Sequence, residues 1–147
     1  MRKIYYIVVH CSATRCDRSF DTEHLLQEHL RRGFNGIGYH YYIRRDGTIV
    51  NTRPIEQAGA HAKGFNAHSI GLCYEGGLDS HGHPADTRTP AQRMALRSLV
   101  EHLMRKYNYD VRICGHRDLS PDLNGNGTVE PEEWTKLCPC FDVNKEL

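Results

Sequence analysis

Ile4-Tyr5-Tyr6-Ile7-Val8-Val9-His10 sets six β-branched or aromatic residues in a row and ends them on a histidine. Such a run favours a strand, expected over about residues 3 to 10. Apolar side chains on both faces place it inside a sheet, not at an edge. Arg2 and Lys3 ahead of the run resemble the start of an export signal. The apolar stretch is too short for that role, and no small-residue cleavage site follows. The chain is therefore expected to be made in the cytoplasm.

The rest of the chain supplies partners for this strand. Ser69-Ile70-Gly71-Leu72-Cys73-Tyr74 reads as a second apolar strand. Residues 39–45 and 48–51 read as a hairpin turning at Asp46-Gly47. Residues 111–114 form a further short strand. Asp21 or Thr22 can cap a helix with Leu25, Leu26 and Leu30 on one face, ended by Gly33. His29 lies on that stripe and is expected in the core. Thr89, Pro90 and Gln92 form a capping box for a second helix running to about Tyr107. Its stripe is Met94, Leu96, Leu99, Val100, Leu103 and Met104. One helical turn is expected around 132–136, and residues 57–68 and 76–88 read as loops. Strands alternating with helices, with a hairpin inserted, indicate an α/β fold: a single domain over 1–147, its central mixed β-sheet flanked by helices.

Length and charge narrow the function. The chain has 147 residues, enough for one ordinary core. Its 19 basic and 18 acidic residues give a net charge of +1, which argues against nucleic-acid binding. No stretch is long enough for membrane insertion, and a monomer is expected. Ten His and six Cys are many for one small domain. Cys11, Cys16, Cys73, Cys114, Cys138 and Cys140 are irregularly spaced, so most are expected to be buried, reduced thiols.

His10 closes the first strand, His116 follows the last one in CGHRD, and Cys138 lies in KLCPCFD. Imidazole and thiolate suit zinc, and three protein ligands leave a fourth position for water. Spacing alone does not decide this, because a histidine at a strand end is also ordinary polar surface.

Five local words, in order, add to the reading: VVHCSAT, GIGYHYYIRRDGTI, AGAHAKGFNAHSIGLCYEG, GHRDLSP and KLCPCFD. Together they resemble the zinc-dependent N-acetylmuramoyl-L-alanine amidases, a family that includes phage lysozymes of the amidase kind and peptidoglycan recognition proteins. The resemblance runs from about Ile4 to Asp142. It implies a peptidoglycan recognition protein-like fold and hydrolysis of the amide between N-acetylmuramic acid and L-alanine in peptidoglycan. It assigns His10, His116 and Cys138 as zinc ligands, with Cys140 the local alternative to Cys138. Tyr39 matches the family's active-site Tyr, and Lys136 the Lys that phage-type members carry. Tyr39 is expected to position the water or donate to the oxyanion, and Lys136 to stabilise the oxyanion as a cation. His61 and Asn66 fall in the segment that borders the substrate groove. His40 alternates away from Tyr39 and is expected to be structural. The implied partner is peptidoglycan or its muropeptide fragments, met at the cell wall after release or as fragments in the cytoplasm. Two alternatives stay open: a non-catalytic peptidoglycan-binding module, whose members typically lack the Cys, and an amidase with an added protein-regulatory role.

One segment departs from the family. In DLNGNGTVEPEE, Asp122, Asn124, Asn126, Gly127 and Glu133 fit the calcium-loop pattern, with Thr128 offering its carbonyl. An insertion at 122–133 that binds calcium is expected to be weak, because two of its oxygen ligands are neutral Asn.

Overall fold

β1 (Tyr6–Cys11) takes an interior position in a five-stranded sheet. The computed structural model describes residues 2–147. Beside β1 lie β5 (Ser69–Tyr74) and β7 (Arg112–Gly115), both parallel to it. β3 (Tyr41–Ile43) pairs in parallel with β5, and β4 (Ile49–Asn51) runs antiparallel at the edge. The order is therefore β4-β3-β5-β1-β7, a mixed sheet. All six residues of β5 are buried, as the unbroken apolar run requires.

Side-chain alternation divides the core between the two faces. Ile7, Val9 and Cys11 of β1 join Ile70, Leu72 and Tyr74 of β5 against Leu96, Leu99, Val100 and Leu103 of α2 (Pro90–Lys106). The opposite face carries Cys73 and Tyr42, which pack on Leu25 of α1 (Thr22–Arg31) and on Ile37. His10 and Gly71 belong to this second face by the same alternation.

The capping box closes α2 as read, with Thr89 Oγ1 accepting from Gln92 N–H at 3.1 Å. Gln92 is buried, and its amide also donates to the carbonyls of Ile43 and Glu75. A cap thus ties the helix to the sheet. Asp21 caps α1, and Gly33 follows its end at φ +88°. His29 is buried and accepts the Gly38 N–H at Nδ1, 2.8 Å away.

Some details differ from the sequence expectation. Met94 does not join the α2 stripe; it is 75% exposed, because the helix buries Gln92 and Leu96 on either side of it. Leu30 is likewise exposed at the outer edge of α1. β1, β3 and β4 are shorter than read, β7 is shifted by one residue, and β5 spans Ser69–Tyr74 as read. Residues 77–78, expected as loop, form β6 (Gly77–Leu78), which pairs in parallel with β2 (Thr14–Arg15), two residues each. A final short helix, α3 (Val143–Glu146), tucks Val143 into the core. The turn expected at 132–136 is a 3-10 turn over Pro131–Glu133. All six cysteines are free thiols.

Candidate metal centre

Parallel neighbours end on the same side of a sheet, and this sets the site. In the β1–β7 register Val9 stands beside Gly115, so His10 and His116 leave adjacent strands together. Their ring centroids are 4.6 Å apart. The third side chain comes from the C-terminal segment. Cys138 Sγ accepts the Cys11 N–H at 3.1 Å, and the Cys138 carbonyl accepts the Arg117 N–H at 2.8 Å. Gly115 has no room for a side chain, because a Cβ there would lie 2.7 Å from Pro139 Cδ. The Tyr74 hydroxyl donates to the Pro139 carbonyl at 2.7 Å.

Ligand atoms of His10, His116 and Cys138 all lie within 4.8 Å of one another. Among the described residues this is the one such group of three His, Cys, Asp or Glu side chains. Cys140 stands outside it, its thiol directed at the Gly77 carbonyl 3.6 Å away. Two imidazoles and a thiolate fit zinc. Burial, then the neighbouring His61, His116 and Lys136, holds His10 well below the usual histidine range. Burial and Lys136 push His116 down to about 4. Both are neutral at pH 7, the form that ligates metal.

The three residues face a cavity of about 890 Å³ that also takes in Tyr39, Lys136, His61 and Asn66. The Tyr39 ring lies 5.0 Å from that of His10. Burial, then the nearby thiols of Cys73, Cys138 and Cys11, raises its hydroxyl well above the usual range, so it keeps its proton. Lys136 is exposed at the rim, two residues before Cys138. His61 and Asn66 stand in the wall. Asn66 Oδ1 accepts from the N–H groups of His61 and Ala62, each at 2.9 Å. His40 is buried and turned from the site, its Nδ1 accepting from Gly71 N–H and its Nε2 facing the Gln57 carbonyl. Glu28, Arg32 and Phe34, on and just after α1, complete the opposite wall. Sequence reading did not pick them out, since they look like ordinary helix surface.

The family model for N-acetylmuramoyl-L-alanine amidases matches residues 1–138. The chain belongs to that amidase family. An endolysin of Klebsiella phage KP32 is 38% identical over 139 residues, spanning 95% of this chain and 82% of the relative. The endolysin of Escherichia phage T7 is 37% identical over the same shares. Among solved structures, the amidase LysC from Clostridium intestinale superposes with a TM-score of 0.72 at 29% identity, covering 96% of this chain and 79% of that one. The expected peptidoglycan recognition protein-like amidase fold is therefore the observed one.

Residues 122–128 are exposed, and the segment 122–133 contains no strand, ending in the turn at Pro131–Glu133. Asp122 Oδ2 accepts from Gly127 N–H at 2.7 Å, and Gly127 has φ +85°. The side-chain carbonyls of Asn124 and Asn126 accept from Asn126 and Thr128 N–H. The Glu133 carboxylate is buried and takes N–H bonds from Leu123, Asn124 and Glu130.

Proposed function

We propose that His10, His116 and Cys138 hold zinc, and that the protein hydrolyses the amide bond between N-acetylmuramic acid and L-alanine in peptidoglycan. The observation that carries this reading is the approach of the three ligands to within 4.8 Å in a cavity shared with Tyr39 and Lys136. Zinc held there supplies Lewis acidity and an activated water near neutral pH. The chain's own groups do the remaining work. Tyr39, kept protonated by burial, donates to the oxygen on which charge develops. Lys136 brings a positive charge from the rim to the same oxygen. The walls from α1 and residues 60–66 orient the muramyl-peptide and exclude water from the reacting bond. The presence of Cys138 favours catalysis over a binding module.

No helix is long and apolar enough to cross a membrane among the described residues. The substrate is a wall polymer, so the enzyme acts on the wall after release or on muropeptides shed from it.

Metal analysis coupled to product identification on purified muropeptides tests the reading. New L-alanine amino termini with intact sugar chains are expected; new reducing ends mean a glycosidase instead. Cys138→Ser and His116→Ala should lose zinc and turnover together. Tyr39→Phe should keep zinc and slow turnover by about 10²–10³-fold. Full activity in Tyr39→Phe refutes its role.

A second cation reading concerns the loop at 122–133. The turn at Gly127 and its bond to Asp122 are what a calcium loop requires at those positions. Asp122, Asn124, Asn126, the Thr128 carbonyl and Glu133 would supply the oxygens. Glu133 has to release its backbone N–H bonds to ligate, which adds to the weakness expected from the low ligand charge.

A further inference from the structure

His61 is not among the three clustered ligands, yet its ring meets the first of them. His61 Nδ1 lies 2.8 Å from His10 Nε2, with the rings edge to face at 88°. Its other nitrogen, Nε2, lies 3.1 Å from Ser69 Oγ. Both ring nitrogens are therefore engaged inside the protein. Asn66 holds the backbone on which the ring is mounted. Beneath the ring is Gly71, where a Cβ would come within 2.7 to 2.9 Å of three His61 ring atoms. Only a glycine at this point of β5 leaves a seat for the imidazole.

One proton lies between His10 and His61, and its ownership decides what His10 can bind. If His61 Nδ1 carries it, neutral His10 has its own proton on Nδ1 and offers no lone pair to a metal. If His10 Nε2 carries it, His10 Nδ1 is free to ligate. His61 then bears its proton on Nε2, and Ser69 Oγ stands in place to accept it. We propose that His61 is a positioning residue for His10. Its Nδ1 accepts a hydrogen bond from His10 Nε2–H, fixes the ring plane and holds His10 in the tautomer that ligates through Nδ1; Ser69 fixes the matching tautomer of His61. The proposal rests on the zinc reading above. It gives His61 a task besides bordering the groove.

The test is zinc affinity, measured without substrate by competition with a chromophoric chelator. His61→Ala is expected to bind zinc about 10- to 100-fold more weakly. His61→Asn sets an acceptor oxygen near the place of Nδ1 and should recover most of that loss. Ser69→Ala should show a smaller one. Nitrogen-15 spectra of the zinc-loaded wild type should show the His10 proton on Nε2; these spectra and His61→Asn decide the matter if His61→Ala does not fold. A proton on His10 Nδ1 overturns the proposal. So does His61→Ala with wild-type zinc affinity and only a raised KM, the mark of a substrate contact. Wild type that takes up no zinc overturns the metal reading and this proposal together. Wild type that binds zinc but releases no L-alanine termini overturns the activity alone.

Discussion

Glu75 follows β5 and is 1% exposed, yet it carries a charge. Its carboxylate accepts from Phe20 N–H at 2.7 Å, from Arg44 Nε at 2.9 Å and from Arg45 N–H at 2.9 Å. It joins the approach to α1, the β3–β4 turn and the end of β5. Glu75→Gln keeps one acceptor oxygen and turns an NH₂ group toward a donor. One charge-assisted bond is lost, about 1.5–3 kcal/mol, and a part-buried N–H loses its partner, about 1 kcal/mol or more. Arg44 stays partly in water, so its share of the ion pair counts for little. The sum is about 3 kcal/mol. For a domain near this size each kcal/mol moves Tm by about 2–4 °C, so a fall of about 6–12 °C is expected. Calorimetry on metal-matched samples measures it. Burial pushes the Glu75 carboxyl up, but the Arg44, Phe20 and Arg45 bonds outweigh it and hold it below its ordinary value of 4.5. Its stabilisation is thus present above about pH 4.5 and lost as pH falls through the lower folded value. The gap between wild type and Glu75→Gln should narrow there. A Tm within about 2 °C of wild type at pH 7, or a gap constant down to pH 3, refutes the reasoning.

Burial, then the positive charges of Arg2 and Arg53 set against the Gln57 hydrogen bond, leaves His40 at about 4, whereas the unfolded chain titrates near 6.5. Stability should therefore decline from pH 6.5 to about 4, with up to about 1.4 kcal/mol per pH unit from this one proton. His40→Asn keeps the acceptor for Gly71 N–H and should flatten the urea-derived profile by that slope; an unchanged slope contradicts the assignment. Added calcium should raise Tm modestly if the loop at 122–133 takes it, and Glu133→Gln should cancel the rise. A melting curve indifferent to calcium removes that site.

Much of the fold is written in local signals. The run at Ile4–Val9 and the Thr89–Gln92 box each specify an element without help from elsewhere. β2 and β6 are too short to show alternation, and they exist only because the chain brings residues 14 and 77 together. Met94 fits a helical stripe by spacing, and only the width of the helix–sheet contact leaves it outside. For the site, residue types and resemblance name His10, His116 and Cys138. Resemblance prefers Cys138 to Cys140; the Cys11 N–H on the Cys138 thiol and the bare backbone of Gly115 beside Pro139 are features no spacing reveals. The tie between His61 and His10 crosses 51 residues and needs a glycine under the ring, so it is visible only in three dimensions.

The bond from Cys11 to Cys138 spans 127 residues. A metal gripping both strand ends and this distant loop is also a cross-link, closing nearly the whole chain into a ring. Such closure lowers the entropy of the unfolded chain without adding a contact to the sheet. If zinc is held there as proposed, fold stability would follow free zinc logarithmically, as for any ligand of the native state alone. With zinc held as proposed, this amidase would carry one shared dependency: surroundings that strip the metal would silence it and lower its stability in the same event.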